Sequence, residues 1–116
     1  MMTLTRKWSL VRSRSETEVF TKAIETYGET SQMHMVLEEM SELAKEICKS
    51  MRYSKRQYKR RVAEEVADVE IMLEQIKMIF GIDDDVEGWR LDKTVRLRER
   101  LGLAPSREPD WSDRNV

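Results

Sequence analysis

The chain has 116 residues, enough for one domain with a real core and too few for two domains with separate cores. With 40% hydrophobic and 37% charged residues, four Gly and two Pro, its composition is that of a helical protein. The net charge of −1 supplies no global basic field to draw nucleic acid, and no apolar run approaches the roughly 18 residues of a membrane span.

Four helices are predicted in chain order. The opening stretch, MMTLTRKWSLVRSR, is basic but lacks the apolar segment of a signal peptide, and residues 1–14 read as an N-terminal arm. The first helix begins at a capping box, Ser15 with Glu18, and stops before Gly28. The second runs from near Ser31 to about Met51. A second capping box, Ser54 with Gln57, opens the third, which ends at Phe80 with Gly81 closing it. The fourth starts in the acidic run at 83–85, where negative charge suits a helix N-terminus, and ends before Gly102. Residues 103–116 hold both prolines and read as an extended tail. The lone Cys48 rules out an intrachain disulfide and goes with a reducing, cytoplasmic location. The expected fold is all-α: a four-helix arrangement over residues 15–102, built around a central antiparallel helix hairpin.

The two central helices carry the informative periodicity. At about 100° per residue, Val36, Met40, Leu43 and Ile47 fall within about 60° of one another and form a core stripe. Glu39, Glu42 and Glu46 line one flank of it. In the third helix Val62, Val66, Val69, Met72, Leu73, Ile76 and Phe80 form a broad apolar face, with Glu65 inside it and Asp68 on its border. A carboxylate in an apolar face is costly unless paired or liganded.

The corner at Tyr53–Ser54 makes the two helices antiparallel. The midpoint of Glu39 and Glu42 is 40.5, that of Glu65 and Asp68 is 66.5, and their mean, 53.5, falls on the corner. The two acidic pairs therefore stand at one height. Two like charges about 4 Å apart repel by about 4 kcal/mol at an effective dielectric near 20, so something positive belongs between them. Oxygen-only ligands suit a hard cation, Mg²⁺ first and Mn²⁺ second. Zinc has only His34 and Cys48 to draw on, and a di-iron centre would need Glu-x-x-His on two helices, where His34 has Ser31 three residues before it. Either acidic pair alone reads as a solvated helix flank; the matched height of both is what favours a metal site.

The stretches AIETYGETSQMHMVLEEMSELAKEICKSMR and RRVAEEVADVEIMLEQIKMIFG together resemble the MazG-like, all-α nucleoside triphosphate pyrophosphohydrolases. That family is marked by Glu-x-x-Glu, a spacer of roughly one to two dozen residues, then Glu-x-x-Asp. Here 22 residues separate Glu42 from Glu65, and the resemblance covers roughly 23–101. It implies Mg²⁺-dependent cleavage of a nucleoside triphosphate to a monophosphate and pyrophosphate, in control of the nucleotide pool. It makes Glu39, Glu42, Glu65 and Asp68 the metal ligands. The family's cationic segment on the last helix is matched more loosely, by LDKTVRLRERLG: Asp92 stands where an Asn often precedes the lysine. That match offers Lys93 and Arg96, and more remotely Arg100, as phosphate contacts. Phosphoanhydride hydrolysis needs charge neutralisation and an oriented water rather than a protein nucleophile. Glu38 or Glu42 is the candidate base, with no ground in the sequence for choosing between them.

Other features admit two readings each. Gln32 is either a reader of a base edge or an exposed cap-region residue. The basic run Ser54 to Arg61 is a solvated helix start or a contact for phosphate or nucleic acid, with its tyrosines able to stack on bases. Met33, Met40, Met72 and Met78 are packing residues or the lining of a base site. Trp89 stacks on a base or fills a subunit interface, the second being favoured. The breadth of the third helix's apolar face predicts a partner copy across it, hence a homodimer or homotetramer. The alternative to an enzyme is a helical interaction or regulatory protein, nucleic-acid-associated through residues 55–61, whose acidic flanks are merely solvated. A third reading keeps the fold and the metal without activity.

Overall fold

The computed structural model describes residues 12–105. Among them are four helices and no strand: α1 (Arg14–Tyr27), α2 (Glu29–Arg52), α3 (Lys55–Phe80) and α4 (Asp83–Arg100). The fold is all-α, as composition and periodicity predict. Among the described residues no helix is long and apolar enough to cross a membrane. Most of the expected arm, 1–14, and of the expected tail, 103–116, lies outside the described residues.

The helix ends follow local chemistry, with two departures from expectation. α1 begins at Arg14, so Ser15 lies within its first turn rather than at the cap. α2 begins at Glu29 instead of near Ser31, because Gly28 serves two helices at once. Its N–H donates to the Ile24 carbonyl at 2.8 Å, closing α1, while its carbonyl accepts from the Gln32 N–H at 3.1 Å, opening α2. The φ of +93° at Gly28 turns the chain between them, a conformation open to glycine and strained for other residues. The corner between α2 and α3 is as predicted: Ser54 is extended and its hydroxyl accepts from the Gln57 N–H at 3.3 Å. Gly81, with φ +65°, closes α3 by donating to the carbonyls of Lys77 and Met78. Asp83, Asp84 and Asp85 fill the first turn of α4.

The described residues form two compact units, one of 15–81 and one of 12–14 with 82–105. The first, Ser15–Gly81, holds α1 and the hairpin of α2 and α3, which pack on each other along their length. Its interior is small: Phe20, Val36, Val69 and Met72 are the buried apolar residues. Of the predicted α2 stripe, Val36 is buried and Leu43 half-buried, while Met40 and Ile47 remain 49% and 40% exposed. On α3, Val69 and Met72 are buried, Val62 and Ile76 half-buried, and Val66, Leu73 and Phe80 exposed. Apolar periodicity locates a face, and how much of it is covered depends on what lies across it. In the second unit Arg12 pairs with Asp83 at 2.6 Å, and Arg98 donates from Nε to the carbonyl of Ala104. α4 buries no residue.

A candidate carboxylate site on the helix hairpin

Glu39 on α2 and Glu65 and Asp68 on α3 bring carboxylate oxygens within 4.8 Å of one another. Each side chain is half-buried. Antiparallel packing from a two-residue corner puts them at one height, and their helical phase turns them inward beside Val36, Val69 and Met72. Among the described residues, this is the group whose spacing suits a metal ion.

The electrostatics are those of crowded anions. Partial burial raises the Glu39 carboxyl above its ordinary value of 4.5, and the charges of Asp68, Glu38 and Glu42 raise it further, with interaction with the Glu65 side chain offsetting part. Glu65 is raised first by burial, then by Asp68, Glu39, Glu42 and Glu64. Its Oε2 is buried and has no hydrogen-bond partner.

Glu42, the fourth expected ligand, stands apart from the trio and faces Lys45, whose Nζ is 3.4 Å from Oε2. Its charge still reaches Glu39 and Glu65. Glu38 is exposed on the outer side of α2. Gln32 is not the exposed cap-region residue that one of its two sequence readings expects. With α2 starting at Glu29 it lies inside the helix, is only 6% exposed, and donates from Nε2 to Oε1 of Gln75 at 2.7 Å. Gln75, 4% exposed, also approaches the Met72 sulfur at 3.8 Å through its own Nε2. No sequence motif marks Gln75. Its signal was a polar residue three positions after a core methionine, opposite Gln32 in the hairpin register. Glu46 is likewise buried, with Oε2 at 3.5 Å from Lys49 and Oε1 without a partner.

Lys93 and Arg96 belong to the second unit. The Lys93 ammonium lies over the Trp89 ring, 5.7 Å from its centre, and Arg96 is bound to Asp92 at 2.7 Å. Trp89 is exposed.

The trio offers the all-oxygen donor set that a hard divalent cation takes. Its donors are carboxylate oxygens alone, one of them orphaned, and their 4.8 Å limit exceeds by little the about 3–4 Å between ligands of an octahedral Mg²⁺ with bonds near 2.1 Å. No family model, curated protein or solved structure matches this chain.

Proposed function

We propose that the chain is a MazG-like nucleoside triphosphate pyrophosphohydrolase, using Mg²⁺ or Mn²⁺ to cleave a nucleoside triphosphate into a monophosphate and pyrophosphate. The observation that carries the reading is the convergence of Glu39, Glu65 and Asp68 across two helices, with Glu65 Oε2 left unpartnered. Three crowded, half-buried carboxylates cost stability unless a cation joins them.

In this reading Glu39, Glu65 and Asp68 hold the ion, and Glu42 joins them as the fourth ligand on release from Lys45. The ion would neutralise phosphate oxygens and acidify a bound water. Water oxygen bonds to the α-phosphorus, the bond from that phosphorus to the α,β-bridging oxygen breaks, and pyrophosphate leaves. Glu38 or Glu42 accepts the proton that the water gives up. The family resemblance makes Lys93 and Arg96 phosphate contacts; among the described residues no carboxylate pairs with Lys93, whose ammonium lies over Trp89, while Arg96 is held by Asp92. The exposed Met40, Ile47, Leu73 and Phe80 favour a homodimer or homotetramer, and the lone Cys48 a cytoplasmic setting.

The deciding experiment measures pyrophosphate release from a panel of standard and modified nucleoside triphosphates, with Mg²⁺ and with Mn²⁺. Glu39→Gln and Glu65→Gln are expected to lower the rate by about 100-fold or more, since each removes an anionic ligand that would hold the ion. Absence of release from every member of the panel refutes the proposal.

A further inference from the structure

The joint between α2 and α3 carries a charge pattern that helix stability opposes. From Ile47 to Ala63 there are seven Lys and Arg residues and no Asp or Glu, so this stretch holds +7 and the rest of the chain −8, together the net −1. Lys49 is paired with Glu46, and both Lys49 and Arg52 stand in the last turn of α2, where the helix dipole favours cations. Lys55 and Arg56 stand in the first turn of α3, where the dipole disfavours them, and Lys59 and Arg60 follow one turn on. The other helices obey the rule: their first turns hold Glu16, Glu29 and Asp83 to Asp85, while that of α3 holds no acidic residue. Among the described residues no carboxylate forms an ion pair with Arg52, Lys55, Arg56, Lys59, Arg60 or Arg61, and all six are exposed. A charge cluster that costs stability and meets no carboxylate among the described residues suits an anion from outside it.

Two aromatic rings stand among these cations. Tyr53 and Tyr58 stack with ring centres 6.0 Å apart and planes 23° from parallel. The Arg52 guanidinium lies 6.0 Å from the centre of Tyr53, and that of Arg61 lies 5.7 Å from the centre of Tyr58. A guanidinium resting on a ring keeps its in-plane N–H donors available, and it is already ordered when a phosphate arrives. Lys55 with Lys59 and Arg56 with Arg60 are each four residues apart, so they form two short columns on one side of α3.

We infer that this corner binds single-stranded nucleic acid. Its phosphates are taken by Lys55, Arg56, Lys59 and Arg60 with the two ring-held arginines, and the 61% exposed Tyr53 serves as a platform for a base. The surface is too poor in apolar side chains to enter a lipid headgroup layer: Ile47, Met51 and Tyr53 are the exposed large apolar side chains of this stretch. Four of the six cations are arginines, and paired aromatic rings suit planar bases better than they suit an acidic peptide.

The test is fluorescence anisotropy of a labelled single-stranded oligonucleotide of about 16 nucleotides titrated with the full chain. Engagement of about four phosphates gives a log–log salt slope near −3, a loss of roughly 50-fold between about 50 and about 200 mM salt. The variant Arg56→Gln/Lys59→Gln/Arg60→Gln is expected to bind more than about tenfold more weakly and to flatten the slope to about −1. Tyr53→Leu is expected to weaken binding at least about fivefold with the slope unchanged. These side chains are exposed, so helicity by circular dichroism stays at the wild-type level. Lys22→Gln/Arg90→Gln, which removes two exposed cations elsewhere, leaves binding intact. The inference is overturned by absence of saturable binding, by an equal loss in the Lys22/Arg90 variant, or by undiminished affinity in Tyr53→Leu. It is also overturned if polyglutamate competes as well as the oligonucleotide, or if phosphatidylserine vesicles bind more tightly.

Discussion

Gln32 and Gln75, 43 residues apart in the chain, share a buried hydrogen bond of 2.7 Å between α2 and α3. Their residue numbers sum to 107, as do those of Glu39 with Asp68 and of Glu42 with Glu65. The bond therefore reports the same antiparallel register that aligns the acidic pairs. Gln32 precedes Glu39 by seven residues and Gln75 follows Asp68 by seven, about two turns on each helix, so amide pair and carboxylates share one face. A buried polar pair of this kind penalises any slip of one helix along the other, because a slip leaves both amides unpaired.

The pair should behave asymmetrically under mutation. Gln75→Leu alone strands the Gln32 amide in a buried position and is expected to cost about 1–3 kcal/mol. Gln32→Leu/Gln75→Leu should recover most of that loss, since neither helix then carries an unpaired group. Urea denaturation of the two single variants and the double completes the cycle. Additive losses would show that the amides do not depend on each other.

The acidic trio predicts a pH effect of definite sign. Glu39 and Glu65 bind protons more tightly in the folded chain than at their ordinary value of 4.5. Their contribution to stability is present in full below 4.5 and is lost as pH rises through the raised folded values. Without divalent cation, Glu65→Gln should therefore gain in Tm relative to wild type as pH rises from about 4.5 to about 7. Millimolar Mg²⁺ at neutral pH should raise the wild-type Tm and leave that of Glu65→Gln nearly unmoved. A difference between the two proteins that is flat in pH would show that Glu65 feels no crowding.

The helix ends allow a test of how much the hairpin depends on its caps. Ser54→Ala removes the acceptor for the Gln57 N–H and is expected to cost about 1 kcal/mol, with Ser54→Gly costing only a few tenths. At Gly81 an added Cβ meets nothing within 4 Å, so Gly81→Ala should cost about 1 kcal/mol from its φ of +65° alone. Thermal melts read both.

The proposed hydrolase activity assigns Lys93 to ground-state recognition of phosphates. Lys93→Ala should then raise KM by about tenfold while kcat changes little. A fall in kcat with KM unchanged would move Lys93 from substrate binding to the chemical step.

Much of this was legible in the sequence where the signal is local. Ser54 and Gly81 lie where capping chemistry puts them, and the Glu39–Asp68 apposition follows from counting residues outward from Tyr53–Ser54. Non-local signals were harder to read. α2 starts before Ser31 because Gly28 satisfies both neighbouring helices through backbone groups, which leaves no capping side chain to find. That shift of two residues carries Gln32 from an expected exposed cap into the interior. Met40 and Ile47 belong to the apolar stripe by phase yet remain exposed, since periodicity does not say whether anything covers a stripe. Glu42 matches its motif position, but Lys45 one turn on competes for it, a contest set by side-chain reach rather than spacing.

The corner at 53–54 acts as the zero of a ruler. Residues meet across the hairpin when they are equally distant from it, so any insertion confined to α2 or α3 between the corner and the acids would swing one set of carboxylates out of phase. Matched insertions of about two turns in both arms would carry the acids away from the corner together and preserve their meeting. Evolutionary drift in hairpin length is thereby restricted to paired changes, and the trio's separation from the basic corner can vary only in such steps.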